Sequence, residues 1–534
     1  MKKRAVQIFV LMIMGLSVLV CRLFYLSSSQ ELSVQADRQR SYTLTVAQTR
    51  GVFYDCNMRP LVGNDIVYKG AVVPSEKAVA ALAKILPVDS RQALQPRLQK
   101  GQPFLIDLPS SANADGIEQF AVKKRYGENQ LAQHLLGYLD CDGKHGVVGL
   151  EKAYDSFLSE ASGSLTVTYT VDARRRPLPG GTPEVKTENY DSRQGVVLTL
   201  DRDVQAVVEK VLAQNGERAA AVVLDVETGA IRGCASAPTY DPQNIAASLN
   251  DSNTPLYNRA LGAYNVGSVF KLCVAAAALE EGDSAGFMHV CTGTTKIGDR
   301  QFSCSDHKNH GLVDLRKALE VSCNTYFVNL AQKLGGDRIY DMAVSIGFGA
   351  STALANSVVA AAGTLPERAS LISPAVVANF SFGQGDLTAT PVQVANMVAI
   401  IARGGKTVQP RLVQALVDDS LAKTQEYPAV QGARILSEQS CQTLREYMIA
   451  TVNEGTGAAA KPEEGGAGGK TATAETSAVI DGIKQDNAWF AGFFPAEKPQ
   501  YAVAVMVEGG VSGGTSCAPL FKQIADGISA LPQN

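Results

Sequence analysis

Ser268 is followed three positions later by Lys271, in the run Gly267-Ser-Val-Phe-Lys271 that opens an Ala-rich stretch. A serine in the first turn of a helix has backbone N–H groups beside its hydroxyl, and these favour developing negative charge. A lysine at i+3 lies on the same face and can reach that hydroxyl. Held dry and near another cation, such a lysine loses its proton more easily and can act as base for a serine nucleophile. Ser322-Cys323-Asn324 offers a second hydroxyl and an amide. Lys470-Thr471-Ala472-Thr473, after the glycine-rich approach Gly465 to Gly469, offers a second cation on a predicted strand. Taken singly, each motif has an ordinary reading: a capped helix, a capped turn in a helical region and an edge strand. Gly469-Lys470-Thr471 also matches the end of a phosphate-binding loop. Glu464 stands where that loop needs its first glycine, and the residues before it are polar, so no nucleotide site is expected.

The elements that must position these residues follow from periodicity. Apolar residues recur at helical spacing over 268–280, 314–334, 390–403 and 437–452. Val196–Leu200 reads as a short strand, and Ala219–Val226 with Ala230–Ser236 as a hairpin turning at Glu227-Thr-Gly229. Lys470–Ala474, Ala488–Phe494 and Tyr501–Glu508 read as strands, and Ser516–Leu531 as a closing helix. An early hairpin and three late strands, with helices between, predict one antiparallel sheet drawn from both ends of the domain. Upstream, 27–40 reads as a polar stalk and 43–170 as mixed strand and helix. The Pro-, Gly- and charge-rich segment 174–194 reads as a linker.

A chain of 534 residues is too long for one ordinary core, so two or more folded units are expected. A net charge of −3, with no basic run beyond Arg174-Arg-Arg176, gives no field for nucleic acid, which is excluded as a partner. Lys2, Lys3 and Arg4 precede a largely apolar run, residues 5–26, whose one charged residue is Arg22 near its outer end. At ~1.5 Å per residue that run spans about 33 Å, enough for a hydrocarbon core of ~30 Å. Basic residues before the span place residues 1–4 in the cytoplasm and the rest of the chain outside. Competing readings are a signal peptide cleaved near Ser27–Ser29 and a lipoprotein at Cys21, the latter disfavoured by Val20.

Ten cysteines in an exported chain raise the question of disulfides. Cys234, Cys273 and Cys323 sit in apolar runs and read as small core residues. Cys291 and Cys304 flank a Gly/Asp turn region and are the best candidate disulfide. Cys304, His307 and His310 have zinc-binding chemistry but no matching second ligand pair, so neither a metal nor a cofactor is expected.

Together, S-x-x-K, S-x-N and a K-T-G-like triplet occur in the order that marks β-lactamases and penicillin-binding proteins. The chain resembles a class B penicillin-binding protein, a monofunctional peptidoglycan D,D-transpeptidase, over nearly its whole length. Arg50-Gly-Val-Phe-Tyr-Asp55-Cys-Asn57, Leu135-Leu-Gly-Tyr138 and Gly149-Leu-Glu151 resemble the family's N-terminal markers. Asn258-Arg259-Ala260, Phe382-Gly-Gln-Gly385, Thr390-Pro391 with Gln393, and Trp489-Phe-Ala-Gly492 resemble its catalytic-domain markers. The resemblance implies an α+β multidomain fold. A transmembrane anchor (5–26) would precede a stalk and mixed α/β pedestal or dimerisation domain (27–173), a linker (174–194) and a transpeptidase domain (195–534). That last domain would hold a five-stranded antiparallel sheet with helices on both faces.

The resemblance also implies roles. Ser268 is the nucleophile toward a stem-peptide D-alanine carbonyl, Lys271 its base, and Ser322 a proton relay with Lys470 nearby. Asn324 would hold the donor peptide and Lys271. Thr471, Ala472 and Thr473 would line the substrate carboxylate, and the backbone N–H groups of Ser268 and Thr473 would form the oxyanion hole. Stem peptides, β-lactams, the membrane and a polytopic glycosyltransferase of the division, elongation or spore-wall machinery are the implied partners. The pattern departs from the family at Ala472, which replaces glycine and whose methyl is expected to narrow the cleft, and at Val266, which replaces proline. A carboxypeptidase or β-lactamase using water, and a weakly catalytic penicillin-binding sensor or scaffold, are the alternatives.

Overall fold

The computed structural model describes residues 2–28, 40–111, 114–216, 218–282, 286–476, 479–480 and 483–532. The first helix, α1 (Lys2–Ser28), opens with Lys2, Lys3 and Arg4, is mostly apolar after them, is exposed among the described residues, and is long enough to cross a membrane. The expected stalk after it lies largely outside the described residues.

The chain packs as two compact units. One comprises 1–50, 63–125 and 161–192; the other comprises 51–62, 126–160 and 193–534. The first contains two three-stranded antiparallel sheets. In one, Gly163–Thr170 pairs with both Ser41–Thr49 and Glu184–Glu188. In the other, Asp65–Val72 is central between Phe104–Leu108 and Ile117–Lys124, with the helices Glu76–Ile85 and Val88–Lys100 between strands.

These boundaries differ from the sequence reading in two places. The segment read as a linker carries the strand Glu184–Glu188, which is fully exposed yet pairs with Gly163–Thr170. Residues 51–62 and 126–160, read as part of the pedestal, belong to the second unit. Val52–Tyr54 pairs in parallel with Gly195–Leu198. The buried Asp55 carboxylate accepts from the backbone of Asn57 at 2.9 Å, Arg59 at 2.8 Å and Arg202 at 3.2 Å. Arg59 then bridges Asp55, Asp201 and Asp203. A buried carboxylate is stable only with such partners, so Asp55 ties its segment to the start of the following helix.

The second unit is built on the five-stranded sheet. Its strands are β1 (Ala219–Asp225), β2 (Ile231–Ala237), β3 (Gly468–Ala474), β4 (Asn487–Phe494) and β5 (Tyr501–Glu508), all antiparallel in the order β2-β1-β5-β4-β3. Strict alternation divides it. Ala220, Val222, Leu224, Ala502, Ala504, Met506 and Trp489 face one core, shared with the helices α3 (Lys271–Glu280) and α5 (Pro391–Ala402). Ala219, Ala221, Val223, Val503, Val505 and Val507 face a second core, shared with α2 (Arg202–Asn215) and α7 (Ala518–Ser529). With both faces covered, β1, β4 and β5 are apolar at nearly every residue rather than at every second one. The expected antiparallel sheet with helices on both faces is what the chain forms.

One helical expectation needs correction. The stretch 314–334 is two helices, Leu315–Glu320 and α4 (Asn324–Leu334), separated at Val321–Cys323. Ser322 has φ of +55°, a left-handed conformation that costs a non-glycine residue energy and breaks the hydrogen-bond ladder.

Candidate active site

Ser268 lies in a short 3-10 turn, Gly267–Phe270, that feeds directly into α3. Two glycines make that turn possible. Gly267 has φ of +57°, and a side chain there would lie 3.0 Å from the carbonyl oxygen of Thr473 on β3. Gly383 has φ of +81°, accepts at its carbonyl from the Gly267 N–H at 3.1 Å, and leaves no room for a Cβ, which would fall 1.9 Å from the Gly267 oxygen. The Phe382-Gly-Gln-Gly385 marker is therefore the backing of the Ser268 turn. The chain before it is pinned to the sheet as well. Trp489 donates to the carbonyl of Asn265 at 2.8 Å, Tyr264 donates to Glu508 at 3.1 Å, and the buried Arg259 pairs with Glu508 at 3.0 Å.

Three sequence motifs meet at Ser322. Nζ of Lys271 donates to the Ser322 carbonyl at 2.8 Å and to Asn324 Oδ1 at 2.6 Å, and lies 3.2 Å from Ser322 Oγ. Nζ of Lys470 donates to the same Ser322 Oγ at 2.8 Å and to the Thr471 carbonyl at 2.9 Å. Asn324 Nδ2 donates to the Ser303 carbonyl at 2.8 Å, which sets the amide's orientation and aims its oxygen at Lys271. Both lysines are fully buried. Burial pushes the Lys271 ammonium down to about 8. Burial, reinforced by the charge of Lys271, holds Lys470 well below the ordinary lysine range. Ser322 and Asn324 reach this point because the helix breaks between them.

The K-T-A strand β3 is the edge of the sheet, and its residues alternate. Lys470 and Ala472 point to the core that contains α3, whereas Thr471 and Thr473 point the other way. Ala472 is only 3% exposed and packs within the core, so its methyl does not project into an open cleft as expected from the sequence. Thr471 is buried and donates to Thr456 Oγ1 at 2.9 Å; Thr473 is exposed and accepts from the Gly513 N–H at 3.4 Å. Thr456 was missed in the sequence. Its flanking glycines, Gly455 and Gly457 at the end of the helix α6 (Glu438–Glu454), were the signal that could have marked it.

The cysteine expectations change. Cys291 and Cys304 are thiols with their sulfurs 3.7 Å apart, not a disulfide. Cys323, read as a lone core residue, has its sulfur 3.8 Å from that of Cys304. His310, whose zinc-binding chemistry was set aside for want of further ligands, lies 3.3 Å from the Cys291 sulfur through Nδ1, while His307 is exposed. The folding of 286–323 thus assembles a group of soft donors that sequence spacing did not reveal.

The structure thus brings Lys271, Ser322, Asn324 and Lys470 together, and sets Ser268 one turn before Lys271 at the start of α3. The penicillin binding protein transpeptidase domain matches residues 219–526, and the chain belongs to that family. It is 31% identical over 432 residues to the penicillin-binding protein PbpB of Mycobacterium tuberculosis, covering 75% of this chain but 61% of that protein's length. It is 28% identical over 593 residues to the peptidoglycan D,D-transpeptidase MrdA of Acinetobacter baumannii, covering 97% of this chain and 86% of the relative. Among solved structures, penicillin binding protein 3 of Mycobacterium tuberculosis in complex with aztreonam superposes with a TM-score of 0.65 at 25% identity, over 91% of this chain and 96% of that one.

Proposed function

We propose that the chain is a peptidoglycan D,D-transpeptidase that works through an acyl-enzyme on Ser268 and is acylated there by β-lactams. The observation that carries this reading is the Ser322 hydroxyl held between Nζ of Lys271 and Nζ of Lys470. A neutral lysine amine has two hydrogens and one lone pair. The Ser322 carbonyl and Asn324 Oδ1 accept but cannot donate, so they take the two hydrogens of Lys271 and leave its lone pair for a hydroxyl proton.

Ser268 Oγ then attacks the penultimate D-alanine carbonyl of a stem peptide as Lys271 removes its proton. Backbone N–H groups of Ser268 and Thr473 are proposed to stabilise the resulting oxyanion, for about 3–4 kcal/mol per donor. The proton returns through Ser322 Oγ to the departing amine, releasing D-alanine and leaving an ester on Ser268. An amine from a neighbouring stem attacks that ester and forms the new amide, so one amide bond is broken and one made. Thr471, Thr473 and Lys470 are proposed to hold the substrate carboxylate. Burial of Ala472 supports an open reaction path over a purely sensory role.

Lys2, Lys3 and Arg4 at the start of α1 support an orientation with the N-terminus inside and the chain after α1 outside the cell membrane. The same anchor supports a membrane-embedded glycosyltransferase as partner. The decisive experiment is to incubate the full-length protein with a fluorescent penicillin, digest it and locate the label. Label on the Ser268 peptide is expected, with acyl transfer to an added D-amino acid exceeding hydrolysis. Absence of label there defeats the proposal, and hydrolysis alone would make the chain a carboxypeptidase or β-lactamase.

A further inference from the structure

Away from Ser322, the second unit holds a cavity of about 280 Å³ with polar side chains on three walls. Arg232 on β2 lines the first wall. Arg411 and Gln414, at the entry to the strand Val413–Val417, line the second. Lys423, Glu426 and Tyr427, on and just after the strand Lys423–Glu426, line the third. Three cations therefore face the cavity against one carboxylate, that of Glu426. The strand β2 is one edge of the five-stranded sheet, and β3, which carries Lys470, is the other. Four strand spacings of ~4.8 Å separate those edges, so the cavity is not part of the centre around Ser322.

The three cations are not equally provided for. Arg232 pairs with Asp225 at 3.1 Å, and the other oxygen of that carboxylate accepts from the Glu227 and Thr228 N–H groups at 3.1 and 2.9 Å. Lys423 pairs with Glu426 at 2.8 Å on the half-exposed rim. Arg411 has no carboxylate partner among the described residues. Its Nη1 donates to the Tyr427 carbonyl at 3.0 Å, and its buried Nε has no acceptor. Burial, together with the charge of Arg232, holds the Arg411 guanidinium below the ordinary arginine range. A half-buried charge beside a like charge costs free energy unless an anion meets it.

The fold nevertheless fixes Arg411 in that place. Its N–H donates to the Gly229 carbonyl at 3.1 Å, and its carbonyl accepts from the Ile231 N–H at 3.0 Å and from Thr199 Oγ1 at 2.9 Å. The Tyr427 N–H donates to the Gln414 carbonyl at 2.8 Å and fastens the third wall to the second. A cation without a counter-ion, set on rigid backbone at a cavity wall, is preorganised for an anion. Donors on three walls do not share a plane. A phosphate group accepts through oxygens arranged tetrahedrally, whereas a carboxylate accepts through two oxygens in one plane.

We propose that Arg411, Arg232, Gln414 and Lys423 form a phosphate-binding site, which takes the phosphate group of a lipid headgroup or of a soluble phosphate ester. Arg411 is the anchor, because the ligand supplies the counter-ion it lacks. Lys423 on the rim exchanges Glu426 for the ligand. No covalent bond is made or broken. The bound phosphate links the β1–β2 hairpin to the strand pair Val413–Val417 and Lys423–Glu426, at the sheet edge opposite Lys470.

The test uses full-length protein in a sugar-headed detergent, in phosphate-free buffer at constant ionic strength. Isothermal titration calorimetry follows the binding of inorganic phosphate and of glycerol phosphate, with acetate as the planar control. One saturable equivalent per chain is expected, with acetate bound at least about tenfold more weakly. Arg411→Gln should weaken phosphate binding about tenfold and Lys423→Gln about threefold, whereas Glu426→Gln should tighten it. The thermal unfolding midpoint of each variant reports that it is folded. Absence of saturable binding, acetate bound as tightly as phosphate, or binding unchanged in Arg411→Gln and Lys423→Gln would overturn the proposal. Should Arg411→Gln not fold, Lys423→Gln decides, because that side chain is half exposed on the rim. The source of the phosphate is read in lipid nanodiscs. Glycerol phosphate blocked by phosphatidylglycerol but not by phosphatidylcholine identifies a lipid headgroup; equal binding in both identifies a soluble ester.

Discussion

Two regions of the second unit supply the residues around Ser322, and they are held in different ways. The sheet side, with Ser268, Lys271 and Lys470, stands between two large apolar cores in which almost every residue of β1, β4 and β5 is buried. The thiol side, 286–323, consists of short hairpins and a broken helix, and contributes Ser322 and Asn324. Burial of a side chain contributes roughly 1.5–3 kcal/mol, so the sheet side has ample means to keep two lysines dry. The thiol side has little apolar area to draw on and relies on specific bonds. Chemistry is placed where packing is strong, and its orientation is governed where packing is weak.

Changes on the sheet side should break function while leaving the thiol side intact. Ser268→Ala should abolish covalent labelling by fluorescent penicillin. Lys271→Met should reduce the acylation rate constant by roughly 10²–10⁴-fold, the usual worth of a general base, measured by stopped-flow labelling. Gly383→Ala places a methyl against the Gly267 carbonyl in a positive-φ position and should destabilise the unit by about 2–4 kcal/mol, read from the denaturant midpoint.

pH gives a gentler test of the same division. In the proposed mechanism the base is neutral Lys271, whose ammonium burial lowers to about 8, so its competent fraction grows as pH rises. Acylation should increase about tenfold per unit below that value and level off above it. A profile flat from pH 6 to 9 would remove Lys271 from the role of base. Smallest of all, Thr471→Val loses the hydrogen bond to Thr456 and should cost about 1 kcal/mol in stability. It should also weaken capture of the substrate carboxylate, seen as a rise in KM with kcat little changed.

Much of the sheet side was legible in the residues. Alternating and continuous apolar runs marked the hairpin and the late strands to within two residues, Tyr501–Glu508 without error. The S-x-x-K motif was visible because three positions on a helix define a shared face. The thiol side was not legible. Ser322 breaks what reads as one continuous helix, and nothing in its neighbours' propensities announces a left-handed residue there. Cys291, Cys304, His310 and Cys323 have no conventional spacing, since their meeting depends on two hairpins folding back. The segments 51–62 and 126–160 likewise join the second unit through Asp55, Arg59 and a parallel strand pair, contacts that no local pattern encodes.

By itself the sequence determined the apolar first helix, the strands and their faces, and the identity of the serine and the two lysines, because periodicity and short spacing are properties of neighbours along the chain. Only the tertiary structure decided that one hydroxyl, Ser322, lies between both lysines, that Ala472 is buried, and that three thiols and an imidazole meet. Those are juxtapositions across long separations, set by the register of an edge strand, the break of a helix and the packing of hairpins.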